Sequence, residues 1–134
     1  MIPTWLDNET QALIADLIET VRQENEQRIV AVILYGSVAR HEERPLDDPE
    51  PSDVDLLMVF DTDDPAAPYA WDINEALGAA YRRHLHAPRE VNIMFATRDL
   101  TEWDETFIEN VACDGIVLYG TLPLPLLPES TRTC

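Results

Sequence analysis

Two apolar stretches joined by a polar loop, IVAVILYGS at residues 29–37 and SDVDLLMVF at residues 52–60, decide the fold of this chain. The first is an almost unbroken apolar run over residues 29–35, which is typical of an inner strand covered on both faces. The second predicts a strand over residues 53–60 that is apolar except for Asp53 and Asp55. Together they predict two strands of one buried sheet.

Helical and strand patterns continue on both sides of these stretches. The leading segment carries Leu13, Ile14, Leu17 and Val21 on one stripe, as an amphipathic helix does. In all, the patterns predict helices at about residues 7–28, 38–44, 68–86 and 101–113, and further strands at residues 90–96 and 116–119. Alternating helices and strands without a repeat or linker predict one α/β (α+β) domain over residues 1–134, with a Pro-rich tail from about residue 121.

The composition excludes several classes of function. The chain has 134 residues and a formal net charge of −17, and all of its nine basic residues are Arg. Without Lys it has neither the phosphate-binding lysine of a P-loop nor a Schiff-base lysine. So negative a chain is not expected to bind nucleic acid or a membrane surface directly. The N-terminus has no signal-peptide pattern and no stretch is long enough to span a bilayer, which predicts a cytoplasmic protein.

Two features at the strand ends suggest chemistry. Gly36 and Ser37 follow a core strand, where a glycine permits a sharp turn and free amides beyond it bind anions; alternatively, this is an ordinary turn with Ser37 as a helix cap. Asp53 and Asp55 alternate with Val54 along a strand, so both point to one face and can reach one divalent cation. The alternative for this pair is a wet, frayed strand end.

The combination of YGSVAR at residues 35–40 with SDVDLLMVF resembles the nucleotidyltransferases of the DNA polymerase β superfamily, in particular the minimal (MNT) branch. The resemblance implies a small mixed sheet of about four strands flanked by helices. It further implies that Gly36 and Ser37 hold the β- and γ-phosphates of ATP, that Asp53 and Asp55 bind Mg²⁺, and that Arg40 contacts the nucleotide.

The chain departs from the family pattern at two places. The segment between Ser37 and Asp53 is longer than usual, and its additional residues form an acidic loop. The family's third carboxylate lies on the third strand, where this chain has Asn92. Glu90 lies two residues earlier on the same face and is the candidate substitute. The implied catalytic residues are therefore Asp53, Asp55, Glu90 and Asn92.

The resemblance implies transfer of AMP from ATP with Mg²⁺ to a partner. Minimal members resemble antitoxins that modify or neutralise HEPN-family RNase toxins, so such a toxin is the expected partner. Two alternatives stay open: a catalytically weak pseudoenzyme that inhibits a partner by binding, and a nucleotidyltransferase that acts on a small molecule. A homo-oligomer also stays open.

Overall fold

A computed structural model describes residues 2–25, 27–64, 66–97 and 105–121 of the chain. These ranges contain three α-helices, four strands and one short 3-10 helix at Ala67–Ala70. The elements are α1 (Asn8–Asn25), β1 (Ile29–Tyr35), β2 (Val54–Phe60), α2 (Ile73–Arg82), β3 (Val91–Thr97), α3 (Glu105–Asp114) and β4 (Ile116–Gly120).

The four strands form one mixed sheet in the order β3-β2-β1-β4. β1 is antiparallel to both β2 and β4, whereas β2 and β3 run parallel and are connected through α2. A parallel pair needs such a crossover, because the chain must return to the same end of the sheet. The expected small mixed sheet with flanking helices is confirmed.

The core lies on both faces of the sheet. Leu56, Met58 and Phe60 of β2 pack in the larger cluster with α1 and α2, and the alternate residues Leu57 and Val59 pack in a second cluster that includes Val111 of α3. Residues 31–34 of β1 are fully buried. The prediction of an inner strand covered on both faces is confirmed.

The start of α1 is set by a capping residue. Asp7 accepts hydrogen bonds from the backbone N–H of Thr10 (2.8 Å) and from its hydroxyl (2.7 Å). This satisfies one of the amides that a helix N-terminus leaves without an intrahelical partner. The predicted apolar stripe of Leu13, Ile14, Leu17 and Val21 is buried.

The predicted helix at residues 38–44 is wrong, because this segment forms a single turn. The N–H of Arg40 donates to the Gly36 carbonyl (3.2 Å), but the next bonds do not continue the helical ladder. His41 has φ of 56°, a left-handed conformation that ends a helix. Pro45 also disfavours helical backbone at the residue before it.

Other boundaries differ by smaller amounts. The helix predicted for residues 68–86 is divided into the 3-10 helix and α2, and residues 83–86 form turns before Pro88. β2 and β3 each begin one residue later than predicted, so Asp53 and Glu90 directly precede their strands. The last helix is confirmed over 105–114, whereas residues 101–104 and the tail from residue 122 lie outside the described ranges.

Candidate functional site

The candidate site lies where β1 ends and β2 and β3 begin. Tyr35 of β1 pairs with Asp55 of β2, and Asp55 pairs with Asn92 of β3. Residues directly opposite each other on neighbouring strands project to the same face of a sheet. The three side chains therefore form one row across the sheet, with Asp55 in the middle.

Gly36 brings the turn that follows β1 against this row. Its φ is +80°, and a β-carbon on it would lie 2.6 Å from Oδ2 of Asp55. Only a glycine fits both the left-handed backbone and the close approach. The turn beyond it is closed by the N–H of Glu42, which donates to the carbonyl of the partly buried Ser37 (2.8 Å).

The amide of Asn92 bridges the two aspartates. Its Nδ2 donates to Oδ2 of Asp53 (3.1 Å) and lies 3.4 Å from Oδ1 of Asp55. The sequence prediction that Asp53 and Asp55 point to one face is consistent with this shared neighbour. An N–H₂ group between two carboxylates stabilises both charges by hydrogen bonding, without adding a positive charge. Asp55 thus has one oxygen toward Asn92 and the other toward Gly36.

Burial changes the acid–base properties of the row. Desolvation raises the pKa of Asp55, the hydrogen bond from Asn92 opposes this, and the charge of Asp53 adds to the increase. Burial, together with the charge of Asp55, raises the pKa of Tyr35 to about 12. Tyr35 is therefore a neutral phenol beside the carboxylates, and its hydroxyl lies 3.2 Å from Sδ of Met94.

The structure places the other predicted site residues around this row. The side chain of Glu90 is exposed, and its carbonyl accepts a hydrogen bond from the N–H of Val54 (2.8 Å). Arg40 is exposed and forms an ion pair with Glu42 (3.2 Å). An exposed ion pair contributes at most about 1 kcal/mol, so this pair restrains the Arg40 side chain only weakly. Its predicted contact with the nucleotide stays a prediction.

Trp5 supports the turn in a way that no sequence pattern indicates. Its ring stacks on that of His41 at 4.5 Å between centroids, and its Nε1–H donates to the carbonyl of Val38 (3.0 Å). Trp5 is 40% exposed, so the contact lies at the surface. No local pattern connects residue 5 with residue 41, because the contact depends on how α1 packs on the sheet.

A cavity of about 730 Å³ opens elsewhere on the molecule. It lies at the other end of β1, between the end of α1 and the start of α2, and Arg28 and Trp71 are among its lining residues. The Arg28 guanidinium stacks 4.7 Å above the Trp71 ring. This cavity is separate from the carboxylates and shares no residue with them.

The donor set fits a magnesium ion that is partly held by a nucleotide. Mg²⁺ prefers one or two carboxylates together with substrate phosphates and water. Asp53 and Asp55 supply two carboxylates, and the glycine turn at Gly36 leaves room beside Oδ2 of Asp55 that a β-carbon would fill. Within the described ranges, no three His, Cys, Asp or Glu side chains come together as a metal site. Two carboxylates would leave the other positions around such an ion to phosphate oxygens and water.

Two solved toxin–antitoxin structures are similar to this chain. A toxin–antitoxin crystallised with AMP-PNP is 21% identical, with 86% of this chain and 75% of that chain covered and a TM-score of 0.49. The MntA–HepT toxin–antitoxin is 20% identical, with 83% and 73% covered and a TM-score of 0.46. No curated protein matches the chain.

None of the helices in the described ranges is long and apolar enough to cross a membrane.

The family assignment rests on a match to a family profile. The profile described as "Polymerase beta, Nucleotidyltransferase" matches residues 16–122, which include the glycine turn, both aspartates and Asn92. The match extends over most of the sequence, from within α1 to just beyond β4. This chain belongs to the polymerase beta nucleotidyltransferase family.

Proposed function

We propose that this protein transfers AMP from ATP, with Mg²⁺, to a partner protein. The observation that carries the proposal is the contact between the turn at Gly36 and the carboxylate of Asp55, with Asp53 on the other side of Asn92. Nucleotidyl transfer needs a phosphate-binding turn directly beside metal-binding carboxylates, because phosphates held by the turn must lie within reach of a metal held by the carboxylates.

The residues of the site have distinct roles in this proposal. Gly36 and Ser37 hold the β- and γ-phosphates, and Arg40 leaves Glu42 to neutralise phosphate charge. Asp53 and Asp55 hold Mg²⁺, which when bound neutralises charge on the triphosphate. A hydroxyl oxygen of the acceptor bonds to the α-phosphorus while pyrophosphate leaves, and the hydroxyl proton passes to a base. Asn92 has no basic group at neutral pH, so Glu90 is the proposed base.

We propose a HEPN-family RNase toxin as the acceptor and the cytoplasm, where ATP is available, as the compartment. Two features support an acceptor of this kind: the similarity of the motifs to the minimal branch of the family, and the charge of −17 without a single Lys. A strongly negative protein associates fastest with a basic partner. Antitoxin action then consists of adding AMP to the toxin.

Asn92 favours a second candidate function, inhibition by binding without turnover. Its amide lies between Asp53 and Asp55, and the resemblance to the minimal branch implies a third carboxylate at this position. A neutral amide oxygen is a weaker Mg²⁺ ligand than a carboxylate and does not take a proton. In this case the protein binds nucleotide and partner, but the transfer step is very slow.

The test compares two doubly substituted proteins with equal changes in charge. Asp53→Asn with Asp55→Asn removes the proposed metal ligands, whereas Asp47→Asn with Asp63→Asn removes two exposed carboxylates away from the row. We expect binding of AMP-PNP, measured by calorimetry, to lose its Mg²⁺ dependence in the first protein only. Equal metal-dependent binding in all three proteins would contradict the site.

The acceptor is identified in a separate experiment. The purified protein is incubated with labelled ATP, Mg²⁺ and the product of the neighbouring gene, and the intact mass of both proteins is measured. Addition of AMP to the partner supports the transferase. An unmodified partner that is nevertheless bound and inhibited supports the second candidate. Transfer of label to a small molecule that is added in place of the partner would support the small-molecule alternative.

A further inference from the structure

Arg89 is a buried cation that the proposed mechanism does not use. It is 7% exposed, and it directly precedes Glu90 at the entrance of β3. No carboxylate in the described ranges lies within ion-pair distance of its guanidinium. Removing a guanidinium from water is unfavourable by several kcal/mol unless hydrogen bonds or charges compensate. Its burial therefore indicates a specific interaction.

The interaction is with the backbone next to a metal-binding aspartate. Nη1 of Arg89 donates to the carbonyl of Ser52 at 2.7 Å, and this carbonyl belongs to the peptide unit that precedes Asp53. The N–H of Val54, which belongs to the following peptide unit, donates to the carbonyl of Glu90 at 2.8 Å. Two consecutive residues, Arg89 and Glu90, thus hold the peptide units on both sides of Asp53.

Asp53 needs such a restraint because it lies outside the sheet. The paired register of β2 and β3 begins at Val54 and Val91, so Asp53 has no partner in the ladder. The segment before it is the long acidic loop, which is closed where the N–H of Arg44 donates to the Ser52 hydroxyl (2.7 Å). Without Arg89, the peptide unit between this loop and the strand would be held on one side only.

We propose that Arg89 is a positioning residue for Asp53: its hydrogen bond to the Ser52 carbonyl orients the aspartate for the metal. This inference rests on the proposed nucleotidyltransferase function. A charge-assisted hydrogen bond is roughly twice as strong as a neutral one, which suits a restraint on a single peptide unit. Residues that orient metal ligands in this way typically change metal affinity by about 10- to 100-fold when they are replaced.

The experiment measures Mn²⁺ affinity by electron paramagnetic resonance in the presence of AMP-PNP. We expect Arg89→Gln to weaken Mn²⁺ binding about tenfold and Arg89→Lys to restore part of the loss, since lysine keeps one charged donor. Arg82→Gln, an exposed arginine in the last turn of α2, is the control and should leave the affinity unchanged. Thermal unfolding with and without Mn²⁺ verifies that each protein is folded.

A double-substitution cycle separates positioning from general stability. If Arg89 acts through Asp53, Arg89→Gln has no further effect on Mn²⁺ affinity in an Asp53→Asn background but still weakens binding in an Asp55→Asn background. If Arg89→Gln fails to fold, Arg89→Lys is used in the same cycle. A lowered melting temperature with unchanged Mn²⁺ affinity, or an equal loss in both backgrounds, would overturn the inference. If the unsubstituted protein binds no Mn²⁺ with AMP-PNP, the proposed function itself fails.

Discussion

Gly36 approaches Asp55 so closely that a β-carbon on residue 36 would lie 2.6 Å from Oδ2 of the aspartate. The contact joins two motifs that are separated by the whole acidic loop in the sequence. Because Asp55 is also held on its other side by Asn92, its carboxylate cannot move away without losing that hydrogen bond. The geometry of the turn and the position of the metal ligand are therefore coupled.

This coupling predicts the effect of Gly36→Ala. An alanine in the left-handed backbone conformation of residue 36 should lower the free energy of unfolding by about 1–2 kcal/mol. Its β-carbon should displace the Asp55 carboxylate and so weaken Mg²⁺-dependent AMP-PNP binding. Gly78→Ala is the matched control: Gly78 lies in α2, and its nearest neighbour would be Nη1 of Arg82 at 3.4 Å. That change should be neutral or stabilise by up to about 1 kcal/mol. Urea unfolding and calorimetry measure both effects, and wild-type affinity in Gly36→Ala would contradict the coupling.

Asn92→Asp should make stability depend on the metal. The substitution replaces the bridging amide by a third carboxylate facing Asp53 and Asp55, so without metal the three negative charges repel one another. We expect a lower melting temperature than wild type in EDTA and a larger increase on addition of Mg²⁺. Asn110→Asp, at an exposed position in α3, is the control for the added charge. The same response to Mg²⁺ in wild type and Asn92→Asp would show that residue 92 does not face the metal.

The same position should control turnover. Metal-ligand and general-base groups each contribute on the order of 10²-fold when correctly placed, so we expect slow AMP transfer in wild type and an increase of that order in Asn92→Asp. Glu90→Gln should abolish the residual activity if Glu90 is the base. Rates are measured with labelled ATP and the partner protein. Full activity that survives Glu90→Gln and does not increase in Asn92→Asp would exclude both positions as the source of the base.

The contacts of Asp16 predict that the free energy of unfolding depends on pH, independently of the candidate site. Hydrogen bonds and charge from Arg83, followed by His84, lower the pKa of Asp16 against the opposing effect of burial. Both partners lie just beyond the end of α2, with Arg83 Nη2 2.9 Å from Oδ1 and His84 Nε2 2.9 Å from Oδ2. A lowered pKa contributes stability that is present above the ordinary value of 3.8 and is lost as pH falls through the lowered value.

The corresponding measurement is urea unfolding of wild type and Asp16→Asn as a function of pH. The difference in stability between them should shrink as the pH is lowered below 3.8. Asp63→Asn, an exposed aspartate, serves as the control with the same change in charge. A difference that grows toward acidic pH would contradict the stabilising contact between α1 and the segment after α2.

The net charge predicts how the partner binds. A protein of charge −17 should associate with a basic partner at a rate that falls as salt is added, because salt screens the attraction. Stopped-flow association at several salt concentrations measures the rate, and Asp47→Asn with Asp48→Asn in the acidic loop should reduce its salt dependence slightly. Tight, salt-sensitive binding of the protein alone to RNA would contradict the assigned class of partner.

Local patterns in the sequence determined the elements of the fold and part of the site. The apolar run of β1, the stripe of α1 and the alternation of Asp53 with Asp55 are properties of a few neighbouring residues. Such periodicities reflect which face of an element is buried, so they can be seen without knowing what covers that face. The turn at Gly36 was predicted in the same way, because a glycine directly after an apolar strand is also a local pattern.

Contacts between distant segments were decided only by the tertiary structure. The parallel register of β2 and β3 places Asn92 opposite Asp55. The packing of the N-terminal segment brings Trp5 onto His41. His41 lies in the segment for which a helix was predicted and a turn is found. The burial of Arg89 against the Ser52 carbonyl belongs to the same class. No sequence pattern links residue 89 with residue 52. Register and burial depend on how whole strands and loops pack against one another, which local periodicity does not show.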